Sequence, residues 1–211
     1  MIEVIDNSLP ESVINKFYDE ATSKFFPWYL GKDIEKETII NPENNSIIRN
    51  DKNTIPTFQF FHKFYGIDDD EQTHSINSKL FDFFNQPIFN FLENYKINKK
   101  LRLHKSKLNL LTNIPDIKLS NFYNIPHVDV TLPHISVLLY LNDSDGDTTF
   151  FNQRYDGNNI RPSSVSIKQR ISPKKNRMVI SDGYFHASAN PIKSNFRIVY
   201  NGVFLVNDKW C

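Results

Sequence analysis

The sequence contains a single cysteine, Cys211, and no long apolar run. With one thiol the chain cannot form an internal disulfide, which is typical of proteins in a reducing compartment. No stretch approaches the roughly 18 apolar residues that a membrane span requires. The first residues lack the basic segment and apolar run of a signal peptide. We therefore expect a cytoplasmic protein without membrane contacts.

An excess of charge of either sign is absent as well. The chain has 25 Lys and Arg against 24 Asp and Glu, for a formal net charge of +1. Nucleic-acid-binding proteins usually gather a basic excess on one face, so no nucleic-acid partner is expected. Aromatic residues are abundant in contrast, with 18 Phe and nine Tyr. They predict an aromatic core, and the length fits one domain.

Two helices are predicted in the first hundred residues. Apolar residues at helical spacing indicate a helix over 9–24, after a capping-box pattern that begins at Ser8. The same spacing over 73–95 predicts an amphipathic helix that Pro87 should kink or divide. Its apolar face should cover a sheet.

Shorter features separate these two helices. A loose alternation over 2–5 indicates a short strand, and the polar stretch 31–53 predicts an irregular excursion. Residues 56–62 alternate like a strand. His62 at its end is interpreted as a half-buried structural residue of the sheet.

After residue 100 the pattern changes to that of strands. Extended segments are predicted at 101–111, 135–141, 148–151, 165–168, 177–181 and 197–206. Short strands at this spacing are typical of a closed or double-layered antiparallel sheet. We therefore predict one domain over 1–211, with a helical support region over 1–100 and a β core over 101–206.

Three residues of the β region form a candidate metal site. His127 and Asp129 are two positions apart, so on an extended segment they present their side chains to one face. His-X-Asp alone occurs often by chance, but here a buried strand follows it, and then His186. Two histidines and a carboxylate leave open positions on a metal ion, as in non-haem Fe(II) oxygenases. His134 is the alternative ligand, although its position at the start of a buried strand favours a structural or substrate-proximal role.

Arg197 is the candidate anion-binding residue. Ten residues separate it from His186, and it lies in an alternating segment where it shares a face with Asn195 and Val199. A buried guanidinium needs an anionic partner, which a carboxylate supplies through two parallel hydrogen bonds. We expect Arg197 to bind the acid end of a co-substrate. The alternative is a surface arginine on an edge strand.

In this order and spacing, the chain resembles the Fe(II)/2-oxoglutarate-dependent dioxygenases, and within them the prolyl-4-hydroxylase-like branch. The matching positions are 126–129, 137–142, 146–151, 173–182, His186, Pro191 and Arg197. They lie in about half of the chain. The resemblance implies a double-stranded β-helix, or jelly roll, whose sheet is supported on one side by N-terminal helices.

The resemblance also implies roles for individual residues. His127, Asp129 and His186 would be the catalytic iron ligands, and Arg197 would bind the distal carboxylate of 2-oxoglutarate. Tyr140 matches a tyrosine that hydrogen-bonds the same carboxylate. Thr149 would lie near the co-substrate, although the family's usual Gly-Gly-Glu-Thr is Gly-Asp-Thr-Thr over residues 146–149 here.

The implied activity is hydroxylation of a C–H bond of a prolyl or other peptidyl side chain. It would use Fe(II), 2-oxoglutarate and O2, with ascorbate as a supporting reductant, and release succinate and CO2. Asp129 argues against the halogenases of this type, which replace the carboxylate with a small residue. Val203 stands where the nucleic-acid demethylases usually carry a second arginine.

Other functions remain open alternatives. The same chemistry on a free amino acid, a small metabolite or a nucleotide is one, and a non-catalytic jelly-roll binding module is another. The segments 31–53 and 153–170 are candidate substrate-covering loops.

Overall fold

The computed structural model of the protein describes residues 1–31, 58–67, 73–95, 97, 100–113, 123–155 and 165–206. Its helices are α1 (Glu11–Ala21) and α2 (Phe81–Asn94). Its strands are β1 (Ile2–Ile5), β2 (Tyr29–Gly31), β3 (Gln59–Ile67), β4 (His74–Ile76), β5 (Leu101–Thr112), β6 (His134–Tyr140), β7 (Thr148–Arg154), β8 (Ile167–Ile171), β9 (Met178–Asp182), β10 (Tyr184–Ser188) and β11 (Phe196–Val206). No helix in these ranges is long and apolar enough to cross a membrane.

The strands form two antiparallel sheets. The main sheet has the order β1-β9-β6-β11-β5-β3-β2, with β4 paired to β3, and the small sheet has the order β10-β7-β8. A bridge between His127 and His186 adds one more extended segment to the small sheet, beside β10. From β5 onward the chain passes back and forth between the two sheets. This is the double-stranded β-helix that the resemblance implies, so the predicted fold is confirmed.

The two faces of the main sheet have different partners. On one face, an apolar cluster joins the sheet to both helices; its fully buried members include Ile14, Phe17, Phe84, Ile88, Val137, Leu139, Ile180 and Tyr200. The other face meets the small sheet through a second cluster that contains Leu138, Tyr140, Val199 and Phe150. Because strand side chains alternate between faces, each central strand contributes to both clusters.

The helix predictions are correct in type but too long. The predicted helix over 73–95 begins only at Phe81, because the preceding His74–Ile76 forms β4 and pairs with β3. Pro87 lies inside α2, which is not divided there. The helix predicted over 9–24 is α1, and no side chain caps it.

The capping-box prediction at Ser8 is wrong. The Ser8 hydroxyl donates to Oδ1 of Asn176, 3.2 Å away, instead of to the first turn of α1. The Asn176 side chain also binds both backbone groups of Leu9, at 2.9 Å and 2.7 Å. Ser8 therefore anchors the start of the helix to the turn before β9.

His62 is a structural residue, as predicted. Its side chain is buried on the helix side of the main sheet. Nδ1 donates to the carbonyl of Pro27 at 2.8 Å, because a carbonyl can only accept. Nε2 therefore accepts from the hydroxyl of Ser78, 2.7 Å away.

The first hundred residues are less helical than expected, since β1 to β4 all belong to the main sheet. The division into a support region 1–100 and a core 101–206 stays a prediction. Strands β2 and β10 were not predicted. The excursion over 31–53 lies outside the described residues except for Gly31, which ends β2.

The turn between β6 and β7 positions the strand that carries Arg197. The Asp145 carboxylate accepts hydrogen bonds from the backbone N–H groups of residues 192, 193 and 194, at 3.2, 2.8 and 2.9 Å. Gly146 permits this close approach, because a Cβ there would lie 2.5 Å from the carbonyl oxygen of Ala189. Burial alone would raise the pKa of Asp145, but the backbone N–H donors hold it at about 2.

Replacing Asp145 with Asn should lower stability in a pH-dependent way. The depressed pKa means that the ionised carboxylate stabilises the fold fully above the unfolded value of about 3.9. This contribution is lost as the pH falls toward about 2. In urea unfolding, Asp145→Asn should have a lower midpoint than wild type at pH 7, and the difference should shrink at pH 3 and below. Asp19→Asn, on the exposed side of α1, serves as the control with little change. A difference that is constant with pH would contradict this role.

Candidate metal centre and co-substrate pocket

The candidate site lies between the two sheets. On the small-sheet side, the backbone of His127 pairs with that of His186 through two hydrogen bonds, at 2.9 Å and 2.8 Å. This pairing sets the two imidazole rings side by side, with centroids 4.6 Å apart. The Phe150 ring packs beside His186, at 5.7 Å between centroids.

His127, Asp129 and His186 come together as a possible metal-binding cluster. Each offers one ligand atom, and these atoms all lie within 4.8 Å of one another. Nε2 of His186 lies 3.7 Å from Oδ2 of Asp129. Among the described residues, this is the one group of three or more His, Cys, Asp or Glu side chains with such geometry.

The hydrogen bonds of the two histidines favour metal binding through Nε2. Nδ1 of His127 lies 3.0 Å from the carbonyl oxygen of Ile125, and Nδ1 of His186 lies 3.2 Å from that of Tyr184. A carbonyl oxygen only accepts, so Nδ1 carries the proton in each ring. In the neutral imidazole, Nε2 then keeps the lone pair that binds a metal.

Asp129 is buried and strongly held. Its Oδ2 accepts from the Ser136 hydroxyl, and its Oδ1 accepts from Nδ2 of Asn201 at 3.1 Å. Nζ of Lys105 donates to its backbone carbonyl at 2.8 Å and lies 3.9 Å from Oδ1. Burial would raise the pKa of Asp129, but the positive charges of His186, when its ring is protonated, and of Lys105 hold it well below its usual range. The carboxylate therefore stays ionised, as a metal ligand must.

His134, the alternative ligand, is not part of this cluster. Its ring is buried, and Nδ1 donates to the carbonyl of Leu132 at 2.7 Å. Burial lowers the pKa of His134.

Arg197 lies on the opposite wall, in the middle of the main sheet. Strand β11 is paired with β6 on one side and β5 on the other, and Arg197 is only 3% exposed. The alternative of a surface arginine on an edge strand is therefore wrong. Its terminal nitrogen donates to Oγ1 of Thr148 at 2.7 Å, and the Tyr140 hydroxyl donates to the same oxygen at 2.6 Å.

The Arg197 guanidinium retains unused binding capacity. Its Nε is buried and has no hydrogen-bond partner among the described residues. No carboxylate within those ranges forms a salt bridge with it, and burial lowers its pKa. Because a buried cation without an anion is costly, this group matches an anionic ligand.

The threonine that contacts Arg197 is Thr148, the residue before the predicted Thr149. Adjacent strand residues point to opposite faces. Thr148 points toward Arg197. Phe151, two residues after Thr149 and therefore on the same strand face as Thr149, packs with Tyr123 in a separate cluster on the other side of the small sheet. Oγ1 of Thr149 is buried without a hydrogen-bond partner in the described part of the chain. The role of Thr149 near the co-substrate stays a prediction.

Further polar groups face the site from β5 and β11, and the sequence interpretation did not single them out. Asn109 and Asn201 each have a buried amide oxygen without a partner among the described residues. Asn201 could have been identified, since it lies four positions after Arg197 on one strand and so shares its face. The metal donors themselves are the two histidines and Asp129, a set that fits a divalent iron ion.

Comparisons with known proteins support the fold. No family sequence model matches the chain, and no curated protein sequence matches it. Among solved structures, an oxidoreductase of the 2OG-Fe(II) oxygenase family from Burkholderia pseudomallei has a TM-score of 0.63 and 8% identity, over 97% of this chain and 84% of that one. This chain has the fold of the 2OG-Fe(II) oxygenases.

Two further oxygenase-fold structures give the same result. The non-haem α-ketoglutarate-dependent epimerase SnoN from nogalamycin biosynthesis has a TM-score of 0.59 and 12% identity, over 97% of this chain and 78% of that one. A prolyl hydroxylase from Trichoplax adhaerens, in complex with a hypoxia inducible factor peptide, has a TM-score of 0.52 and 12% identity, over 97% of this chain and 83% of that one. The resemblance in the sequence is thus confirmed at the level of the oxygenase fold.

The histidine cluster predicts a specific pattern of metal binding. Co(II), a divalent ion of similar ligand preference to Fe(II), should bind to the wild-type protein. His127→Ala and His186→Ala should each weaken binding by at least about 100-fold, more than the loss of a supporting residue. His134→Gln, a change at a buried histidine outside the cluster, is the matched control. Equal affinity in all four proteins, measured by titration, would refute the cluster as a metal site.

Proposed function

We propose that the protein is an Fe(II)- and 2-oxoglutarate-dependent dioxygenase that hydroxylates a substrate C–H bond and releases succinate and CO2. One observation carries this proposal. The His–Asp–His cluster and the buried Arg197, whose Nε lacks a partner among the described residues, line facing walls of one oxygenase fold.

Each site residue has a distinct task in this function. Nε2 of His127, Nε2 of His186 and the carboxylate of Asp129 hold iron, and the backbone carbonyls at Nδ1 keep both imidazoles in the binding tautomer. Iron with bound 2-oxoglutarate supplies the activation of O2 and the oxidation of the C–H bond.

Arg197 orients the co-substrate. Its guanidinium binds the distal carboxylate. The hydroxyl of Thr148 accepts hydrogen bonds from both Arg197 and Tyr140 and so fixes the positions of these two side chains. Leu138, Val199 and Phe150 pack in the same space between the sheets, and all three are buried and apolar. Apolar surroundings strengthen the ion pair between the carboxylate and Arg197.

For the substrate, we place a prolyl or other peptidyl side chain first. Support comes from the resemblance to the prolyl-4-hydroxylase-like branch and from the fold likeness to a prolyl hydroxylase that binds a peptide. Ascorbate is the expected reductant. Of the loops expected to cover the substrate, 31–53 lies outside the described residues except for Gly31, and 153–170 is described except for 156–164. The ends of the second segment belong to β7 and β8 and are not loop.

A small-molecule substrate is the second candidate. SnoN, in complex with Fe3+, α-ketoglutarate and nogalamycin RO, matches with a TM-score of 0.56, slightly higher than the prolyl hydroxylase. A substrate screen that includes prolyl peptides, free amino acids, nucleotides and polycyclic metabolites, read out by succinate release, separates the two candidates. A non-catalytic module would form no succinate with any of them.

The proposed function predicts 2-oxoglutarate turnover that depends on Asp129 and Arg197. With Fe(II), ascorbate and O2, the wild type should form succinate slowly even without substrate, and Asp129→Ala should not. Arg197→Met should raise the KM for 2-oxoglutarate by about 10–100-fold, because it removes charged hydrogen bonds of about 1.5–3 kcal/mol. It should retain Co(II) binding. Arg154→Met, which breaks a surface pair with Asp182, is the matched control.

Two outcomes would contradict these assignments. Equal succinate formation by wild type and Asp129→Ala would exclude the iron site. An unchanged KM in Arg197→Met would exclude the carboxylate role. Thermal unfolding of each variant without metal checks that the fold is intact.

Thr148 and Thr149 provide an internal comparison at neighbouring positions. Thr148→Val should raise the KM for 2-oxoglutarate by about fivefold, since Arg197 and Tyr140 lose a shared acceptor and one such hydrogen bond contributes about 1 kcal/mol. Thr149→Val makes the same change on the other face and should leave the KM unaltered. The KM values from initial-rate measurements test this, and equal effects of the two substitutions would disprove the assignment of Thr148.

A further inference from the structure

Side chains from three strands of the main sheet hold Asp129. Ser136 comes from β6, Asn201 from β11 and Lys105 from β5. β11 lies between the other two strands, and Lys105, Val203 and Ser136 stand side by side in the register. Asp129 itself does not belong to a strand, so these side-chain contacts determine where its carboxylate points.

The two carboxylate oxygens have different surroundings. Oδ2 is on the side of the histidines, 3.7 Å from Nε2 of His186, and accepts from Ser136. Oδ1 accepts from Asn201 at 3.1 Å and lies 3.9 Å from Nζ of Lys105. Both oxygens therefore have a polar partner from the main sheet, but Oδ2 is the one that lies beside His186 and is placed to bind a metal there.

The orientation of the Asn201 amide follows from chemistry. An ionised carboxylate only accepts, so the nitrogen of Asn201 must face Asp129 and its oxygen must point away. That oxygen is buried without a partner among the described residues. A buried acceptor without a partner is destabilising.

The neighbours of Asn201 show that packing does not require an amide at this position. Val199 and Val203 lie on the same face of β11, and both are buried. An apolar residue at position 201 would avoid the unpaired oxygen. The contact with Asp129 therefore accounts for the asparagine.

We propose that Asn201, supported by Lys105, is a positioning residue that makes Asp129 bind the metal through Oδ2 alone. This inference rests on the proposed metal site. Asn201 does not touch the ion and acts through Asp129. With one oxygen from Asp129, three positions of an octahedral ion are used by the protein and the others stay open for ligands.

Paired leucine substitutions test the proposal. Asn201→Leu removes the donor to Oδ1 at nearly constant size. Asn109→Leu is the matched control, because Asn109 on β5 also has a buried amide oxygen without a partner in the described ranges, but does not hydrogen-bond Asp129 there. The probe is Co(II), titrated without 2-oxoglutarate, with affinity and the visible d–d spectrum as readouts.

Asn201→Leu should weaken Co(II) binding by about 10–100-fold, as removal of a residue that orients a metal ligand does. Its d–d spectrum should change, because Oδ1 is released and joins Oδ2 on the ion. Asn109→Leu should keep the wild-type spectrum and an affinity within about twofold. Lys105→Met should weaken binding more than Lys107→Met, which removes the next lysine on the same face of β5.

Asn201→Thr keeps a hydroxyl donor and serves as the second variant. It should bind Co(II) with an affinity between those of wild type and Asn201→Leu. Wild-type affinity and spectrum in Asn201→Leu would overturn the positioning role, whatever the enzymatic activity. Absence of succinate formation in a wild type that binds Co(II) would instead overturn the proposed function and leave the positioning role standing.

Discussion

The candidate site depends on the pair of backbone hydrogen bonds between His127 and His186. One histidine lies in an irregular segment before β6 and the other lies in β10, far apart in the chain. The two bonds join these segments as neighbours in an antiparallel arrangement and bring the rings to 4.6 Å. Asp129 then reaches the same point because it is two positions beyond His127. Without this backbone bridge, the three donors would have no common centre.

Because side chains alternate along the strands of the main sheet, the core residues lie on one face of the sheet and the site residues lie on the other. Residues such as Leu139 and Tyr200 point to the helices and belong to the hydrophobic core. Their neighbours on the same strands, Tyr140 and Asn201, point to the small sheet and face the site. One strand can therefore be anchored on its apolar face by the helices while its other face holds polar groups in a fixed register. The rigidity of the site comes from this shared scaffold.

Much of the fold and the cluster could be predicted from the sequence. The strand pattern, and the positions of His127, Asp129, His186 and Arg197 within it, depend on local alternation and on order along the chain, which a sequence displays directly. The contact of Thr148 with Arg197 was not predicted, although the alternation of side chains along β7 places the two residues on facing sides of the site.

Other features depend on contacts that a sequence does not display. Residues 74–76 continue a helical pattern, yet pairing with β3 makes them a strand. Ser8 has the spacing of a helix cap, but Asn176, distant in the chain, offers it a partner. The role of Lys105 and Ser136 at Asp129 likewise requires the register of three strands. Long-range pairing of this kind overrides local propensity.

We propose that one metal ion binds between the two histidines and Asp129. The most direct measurement is an anomalous-scattering map from crystals grown with Mn(II) and 2-oxoglutarate. We expect a single strong peak within coordination distance of Nε2 of His127, Nε2 of His186 and Oδ2 of Asp129, with the co-substrate extending from it toward Arg197. A peak elsewhere, or no peak at these three side chains, would contradict it.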